Sequence, residues 1–582
     1  MNFQPTGRFA GYSIHHLRND FLSGVMVAVV ALPLGMGFAI ASGVRPEYGL
    51  YTTIIAGILI SLFGGSKYQI GGPTGAFIPI LFAIVLAHGY EDLLLACMMA
   101  GLILILMGFL KLGALIQYFP RPVTIGFTSG IAVIIFSGQI TNFLGLRNVT
   151  SHQEFSANMR EIVSHLGTAN WYSILTALIC LFSILLIRKV TPKIPNMLVG
   201  LVISTLISVW FYPGQVATIG SAFGSIPNTL PNFHFPDFSW QHIEQLLPSA
   251  FVIAMLGGIE SLLSAVVADQ MTGTRHNSNR ELIGQGIANL VTPFFGGIPA
   301  TGAIARTAVN IRTGAASPLS GVIHSIVVLL VLLLFAPYAA LLPLSGMASV
   351  LMMVAWNMSE RKEFLHLLKT RSSDAVVLMV TFLFTVFFNL TVAVGFGLLL
   401  AIVLFAKRMS DVAEVAKALP DPENNRGKIG SHMVSEEHDC PQITIYNVEG
   451  PLFFGVGRFF ENQVMHGMAR FPKVILLRLE KVPFLDTTGE SYLAKMVQRA
   501  KEQGVLLLLT EVAEQPTNLL KKTGLYEKIG GDRIFAHTGE ALDYAVSQLD
   551  SAKCKGCQHY AFRECHQLSK PQQGTVLVTS QV

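Results

Sequence analysis

The sequence predicts a polytopic α-helical membrane domain with a small α/β domain behind it, and three observations lead there. Of 582 residues, 52% are hydrophobic and 13% charged, and mean hydropathy is +0.54. That composition belongs to a chain that folds in lipid rather than to a large soluble enzyme. Two apolar stretches are broken by glycine and proline at corresponding places in the two halves: Gly71-Gly72-Pro73-Thr74-Gly75-Ala76-Phe77, and Gly296 through Arg306. After Arg408 the long apolar runs stop, and short strand and helix patterns alternate.

Apolar runs of spanning or half-spanning length fall at 22–43, 48–64, 74–88, 92–110, 122–144, 170–187, 195–212, 246–268, 282–295, 302–311, 318–336, 345–358, 374–388 and 390–406. The third and tenth are too short to cross about 30 Å of hydrocarbon alone, as expected of half-helices that start near the midplane. Fourteen segments divided seven and seven predict an inverted repeat, about 20–213 and 246–408, within a transport domain of residues 1–408.

Loop charge gives an independent orientation, because lysine and arginine collect on one side of a membrane. Lys67, Lys111 with Arg121, Arg188 with Lys189 and Lys193, Arg275 with Arg280, the group Arg361, Lys362, Lys369 and Arg371, and Lys407 with Arg408 fall on alternate loops. The opposite loops hold Arg45, Arg147 and Arg160, and the long stretch 213–245 has no lysine or arginine. Both termini are therefore expected in the cytoplasm. Residues 1–20 carry Arg8, His15, His16, Arg18 and Asp20, and the apolar run that follows lacks a small-residue cleavage pattern, so it reads as a retained first span. With compact loops and no targeting signal, the expected location is a bacterial inner membrane.

Backbone that is not helical survives at membrane depth only where protein or a water-filled cavity satisfies its polar groups, so the two breaks predict one central substrate site and a carrier. A formal charge of +5 confined to short loops offers no surface for nucleic acid. No G-x-x-x-x-G-K-[ST] sequence is present to hold ATP, and nothing indicates an enzyme. Glu260, within Gly257-Gly258-Ile259-Glu260-Ser261-Leu262-Leu263-Ser264, is costly in hydrocarbon and is expected to face the cavity. His324 and His366, single histidines near segment ends, read as interfacial or packing residues.

Residues 409–438 are polar and proline-bearing and read as a linker. Beyond it, Ile443–Val448, Val474–Leu479 and Val505–Thr510 read as strands, and Phe459–Ala469, Thr488–Lys501, Thr517–Lys528 and Gly539–Leu549 as helices, giving an α/β domain over 439–550. Cys97, Cys180 and Cys440 read as structural. In the tail, 551–582, a C-x-x-C with a further Cys and His makes Cys554, Cys557, Cys565 and His566 (or His559) candidate zinc ligands.

The ordered combination Leu32-Pro33-Leu34-Gly35-Met36-Gly37-Phe38-Ala39, Tyr48-Gly49-Leu50-Tyr51, Gly72-Pro73-Thr74, Asn279-Arg280-Glu281-Leu282, Gln285-Gly286-Ile287-Ala288-Asn289 and Gly302 to Arg306 resembles the sulfate permease family of anion transporters. Phe484-Leu485-Asp486-Thr487-Thr488-Gly489 resembles the signature loop of the STAS domain such transporters carry. The resemblance runs from about residue 20 to 549. It implies an elevator-type homodimer in which segments 1–4 and 8–11 form a core that moves against a gate of 5–7 and 12–14.

It also implies an anion between the starts of half-helices three and ten, where unpaired N–H groups and the helix dipole favour negative charge. The expected site residues are Thr74, Gly75, Ala76 and Phe77 facing Gly302, Ala303, Ile304, Ala305 and Arg306, with Pro33, Leu34 and on to Phe38 as a wall. Arg306 is either a direct ligand or a background charge. Relatives with an acid at the Glu260 position use it for cation coupling, which pairs Glu260 with Ser264 and leaves proton and sodium symport both open. Leu34 stands where many sulfate carriers have Gln, which counts against sulfate, and the run Gly273 to Arg280 resembles the branch with bicarbonate and dicarboxylate carriers. The expected substrate is sulfate or bicarbonate, with a fumarate or succinate symporter, or an anion channel or exchanger with a regulatory STAS scaffold that binds a cytoplasmic protein, as alternatives. Thr487 and Thr488 lie where related antagonists are phosphorylated, although helix capping explains the same residues.

Overall fold

The computed structural model describes all residues except 1–7, 9–11, 115–118, 192–193, 237–239, 389, 421–428, 431–438, 456–463, 465–471, 560, 563–564 and 570–582, and the side chains of 241, 390–391, 420, 429–430 and 566–567. It contains two compact units that meet in sequence at Ala401/Ile402.

Each of the fourteen apolar runs contains a helix. We number them α1 Ile14–Ala41, α2 Pro46–Phe63, α3 Ile78–His88, α4 Tyr90–Phe109, α5 Arg121–Gly138, α6 Trp171–Val190, α7 Asn196–Phe211, α8 Trp240–Thr272, α9 Ser278–Val291, α10 Ile304–Arg312, α11 Leu319–Ala339, α12 Leu344–Met358, α13 Ser373–Phe387 and α14 Leu390–Asp411. Shorter helices such as Phe155–Ser164 and Arg361–Lys369 lie in the connections and were not anticipated by the apolar pattern, being amphipathic rather than apolar. Helices α1, α2, α4, α8, α9, α10 and α11 pack among themselves. A second group pairs α5 with α13, α12 with α5 and α6, and α6 with α7.

Close packing of the first group rests on small residues. Where α1 meets α2, a Cβ on Gly49 would lie 1.8 Å from the Gly35 carbonyl oxygen, so the two backbones touch with no side chain between them.

The two breaks form the centre of this unit. Strand β1, Gly71–Gly72, precedes α3, and strand β2, Thr301–Gly302, precedes α10; they pair antiparallel, Gly71 with Gly302 and Gly72 with Thr301. The neighbouring backbone is satisfied largely by side chains from other helices, as a low-dielectric setting demands. Asn289 accepts from the Ala300 N–H and donates to its carbonyl, both at 2.8 Å. Thr52 accepts from the Ile298 N–H at 2.7 Å. Thr307 accepts from the Ile70 N–H at 3.1 Å, and the Gln69 amide donates to Ser261. Two buried carboxylates tie down the connections. Glu281 accepts from Gly65 N–H, Ser66 N–H, Ser261 and Gln285, and Asp20 accepts from Ala316 N–H, Ser317 N–H and hydroxyl, and Tyr12.

The second unit is an α/β domain around a six-stranded sheet of order β4-β3-β5-β6-β7-β8. Its strands are β3 Glu414–Pro420, β4 Ile429–Gly430, β5 Ile443–Glu449, β6 Val474–Lys481, β7 Leu506–Thr510 and β8 Ile534–Phe535. β5 to β8 run parallel, and β3 joins antiparallel to β5. Helices α15 Thr487–Glu502, α16 Glu514–Thr523 and α17 Thr538–Ser547 complete it. Ile475, Leu477, Leu493, Met496, Leu507 and Leu509 form one buried core.

Two expectations change here. Residues 414–420, assigned to the linker on polarity, form a strand, because Val415, Ala418 and Leu419 are buried. The single helix expected over Thr517–Lys528 divides at Gly524, whose φ of +74° ends α16. All of the helix expected over 459–469 except Val464, and most of the linker, lie outside the described residues.

Candidate functional site

Pairing β1 with β2 sets the starts of α3 and α10 side by side. The Ala303 N–H donates to the Ile70 carbonyl at 2.9 Å. Thr74 holds the position before the first turn at Gly75–Phe77 but does not cap it; its hydroxyl donates instead to Glu260 Oε2 at 2.9 Å. Ala303, at the matching position before α10, has no side chain able to cap. Both helix starts thus keep N–H groups that no side chain among the described residues caps, the condition for binding an anion.

Arg306, 1% exposed, lies in the first turn of α10. One guanidinium nitrogen donates to the Pro73 carbonyl, and Nη1 has no hydrogen-bond partner among the described residues. Gly72, with φ of +151°, makes room: a Cβ there would sit 2.5 Å from Nη1. A buried cation, with one donor edge unused, therefore stands at the break opposite the Thr74–Glu260 pair.

The other expected residues distribute around this point. Gly75 faces both helix groups: a Cβ on it would lie 3.1 Å from Met358 Sδ, 3.5 Å from Ile135 and 3.6 Å from Phe38 of α1. Pro33, Leu34, Ala76, Phe77 and Ala303 are buried, whereas Ile304 and Ala305 are exposed and Glu260 partly so. Ser264, one turn beyond Glu260, is buried and donates to Thr307 at 3.3 Å. Sequence reasoning missed Thr307 and Gln69 and named Asn289 only within a family motif, although Thr307 and Asn289 bond the backbone beside the breaks and Gln69 ties its connection to Ser261. Their signal was a polar residue inside or beside an apolar run. His324 is fully buried within α11, and neither ring nitrogen has a partner among the described residues, so it is not interfacial.

In the α/β unit, Asp486 caps α15, accepting from the Gly489 N–H at 2.7 Å. The Gln515 amide clamps the loop by bonding both backbone groups of Leu485. Thr487 is exposed and Thr488 partly exposed at the first turn. Asp486→Ala is expected to cost about 1 kcal/mol of local stability, read as roughly fivefold faster hydrogen exchange over the first turn of α15. Unchanged exchange would remove the cap from the account of this loop.

The tail does not assemble as expected. Among the described residues no group of three or more His, Cys, Asp or Glu side chains could hold a metal, and the His566 side chain lies outside them. Cys554 instead accepts from Gln442 at 3.3 Å, and burial pushes the Cys440 and Cys554 thiols up.

Comparison with known proteins supplies the family. Residues 17–381 match the sulfate permease family, and residues 435–541 match the STAS domain. The chain belongs to the sulfate permease family. YvdB of Bacillus subtilis, whose name assigns it to sulfate transport only provisionally, is 52% identical over 92% of this chain and 99% of its own. A bicarbonate transporter, BicA of Picosynechococcus sp., is 31% identical over 91% of this chain and 95% of its own. Among solved structures, the transmembrane domain of a cyanobacterial BicA covers 67% of this chain and 98% of its own, with a TM-score of 0.58 and 31% identity. SLC26A9 covers 93% of this chain and 92% of its own with a TM-score of 0.84, at 19% identity a likeness of fold. This sulfate permease family member is a multi-pass membrane anion transporter with a C-terminal STAS domain, and its named relatives are transporters rather than enzymes.

Proposed function

We propose that this family member is a secondary active carrier that imports an inorganic anion, sulfate or bicarbonate, by symport with a proton or sodium ion. The observation that carries this reading is the convergence of Arg306, the uncapped starts of α3 and α10, and the Thr74–Glu260 hydrogen bond at one point. The anion sits against the N–H groups of Thr74 to Phe77 and Ile304 to Arg306, beside Gly302 and Ala303, with Pro33, Leu34 and Phe38 as the wall. A carboxylate beside an anion site repels the substrate until a cation neutralises it, so a cation bound at Glu260 and an anion bound at Arg306 favour one another. That Gly75 lies against residues of both helix groups supports an elevator movement of the first group along the second. Similarity to a bicarbonate transporter and to a protein provisionally assigned to sulfate supports both substrates.

Lysine and arginine on alternate loops support cytoplasmic termini, and the bacterial relatives support a bacterial plasma membrane. Homodimerisation, a protein partner for the STAS domain, and phosphorylation of the exposed Thr487 or its neighbour Thr488 complete the proposal.

The test is uptake of labelled sulfate and bicarbonate into proteoliposomes under separate proton and sodium gradients. Uphill uptake of one anion under one gradient names substrate and coupling ion. Downhill movement indifferent to either gradient rejects symport in favour of a channel or exchanger. Arg306→Ser is expected to reach the membrane and raise the half-saturating anion concentration about tenfold, equivalent to about 1.4 kcal/mol. Arg306→Lys should recover most of it if charge is what matters. Loss of both variants from the membrane would make Arg306 a folding residue.

A further inference from the structure

Where α2 ends and α9 begins, a pocket of about 280 Å³ opens on the surface of the membrane unit. Its wall carries four cations, Arg8, Lys67, Arg275 and Arg280, against one carboxylate, Asp269. That carboxylate is already committed. It accepts from the His276 N–H at 2.9 Å, contacts His276 Nδ1 at 2.7 Å and accepts from the Thr274 hydroxyl at 3.3 Å, closing the loop between α8 and α9. Glu281, just inside, is fully buried with its oxygens taken by Gly65, Ser66, Ser261 and Gln285. Neither acid neutralises the wall by an ion pair with any of its four cations.

The cations are unevenly used. Arg8 donates to the Ser61, Ser66 and Leu62 carbonyls at the end of α2, and Arg280 donates through Nε alone, to the Phe63 carbonyl at 3.4 Å. Lys67 and Arg275 make no hydrogen bond or ion pair among the described residues. Burial and the Arg280 charge pull the Arg8 guanidinium down, and the nearby Glu281 charge offsets this only in part. Leu62 and Phe63, whose carbonyls these arginines bond, are themselves 41% and 46% exposed. Free positive charge therefore borders directly on apolar surface at the end of a membrane helix.

We propose that this pocket binds a phosphate-bearing anion, in the form of an anionic phospholipid whose headgroup meets Lys67, Arg275 and Arg280 and whose acyl chain covers Leu62 and Phe63. Phosphate oxygens supply the several acceptors that two unpaired cations and a free arginine edge require. The adjoining apolar side chains favour a lipid over a soluble ion, which would leave them bare. Bound there, the lipid bridges the connection before β1 and the connection before α9, both of which lead to the central break.

The test uses the purified full-length protein in phosphatidylcholine nanodiscs with and without phosphatidylglycerol, followed by thermal unfolding and by native mass spectrometry of retained lipid. The wild type should be stabilised by phosphatidylglycerol and retain it. The Lys67→Ala/Arg275→Ala double variant, which removes no hydrogen bond of the fold, should retain it about tenfold more weakly. Arg188→Ala/Lys189→Ala, the same charge loss at exposed positions on α6, should respond like wild type. A second arm adds inorganic phosphate in pure phosphatidylcholine: stabilisation there, lost in the pocket variant, upholds the phosphate site and overturns its lipid form. Equal responses from all three proteins, or no lipid retained by the wild type, overturn the proposal.

Discussion

Glu260→Gln is expected to abolish gradient-driven uptake, reducing concentrative transport by at least about tenfold, while the protein still reaches the membrane. Gln is nearly isosteric with Glu and keeps an oxygen to accept from Thr74 at the 2.9 Å separation, so the local geometry should persist. What the substitution removes is the ability to change charge. A carboxylate partly exposed beside Arg306 can alternate between a cation-bound and a bare form, whereas an amide is neutral in every state. The variant should therefore still bind anion and exchange it across the bilayer in equilibrium, since neutral Gln resembles the loaded carrier. Counterflow measured beside net uptake separates the outcomes. Retained counterflow with lost net uptake fits a coupling role, and loss of both with normal expression makes Glu260 part of the anion site itself. Net uptake at the wild-type rate with an unaltered response to both gradients would sink the coupling proposal.

Gly49→Ala is expected to have a still larger effect on the folded protein. The added methyl carbon would sit 1.8 Å from the Gly35 carbonyl oxygen and 2.5 Å from its carbon, and neither is a flexible side-chain end. Relief requires α1 and α2 to separate. Ordinary overpacking costs about 1–3 kcal/mol, and a backbone clash belongs at or above the top of that range. Helix α1 carries Pro33 to Phe38 and α2 carries Thr52, which holds Ile298, so the shift reaches both sides of the break. The expected result is a severe fall in monodisperse protein and in thermal midpoint, measured by size exclusion and a detergent melt. A wild-type midpoint would mean that the helices are farther apart in the membrane than described here.

The breaks were legible because Gly71 to Phe77 and Gly296 to Arg306 combine residues that disrupt a helix with runs too short to span, a local property of sequence. What satisfies them was not. Nothing within a few positions of Ala300, other than its distance from Asn289, announces which side chain will take its N–H and carbonyl. The partnership of Gln69 with Ser261 joins residues far apart in the chain. Arg306 was visible as an intramembrane charge, but the Pro73 carbonyl that receives it could not be inferred, since backbone acceptors leave no mark in a sequence. In the STAS domain, the parallel strands β5, β6 and β7 were found from their continuous apolar runs, whereas the two-residue β8 was too short to register. Glu414–Pro420 was missed because the strand mixes buried Val415 and Leu419 with the charged Glu414 and Lys417, which dilutes its apolar signal. The cysteine spacing 554, 557 and 565 suggested a metal site that the described residues do not form, since spacing alone does not direct side chains toward a common point.

The pairing of Gly71 with Gly302 also sets a timetable for biosynthesis. The partner of the first strand emerges more than two hundred residues after it, which at about 5–20 residues per second is about 10 to 50 s of translation. Through that interval the first half of the protein is in the bilayer with the polar backbone of its break still unmatched, a state that hydrocarbon penalises. The nascent chain must therefore wait, sheltered by water or by the insertion machinery, until the second repeat arrives, and the two halves become a transporter in a single late event.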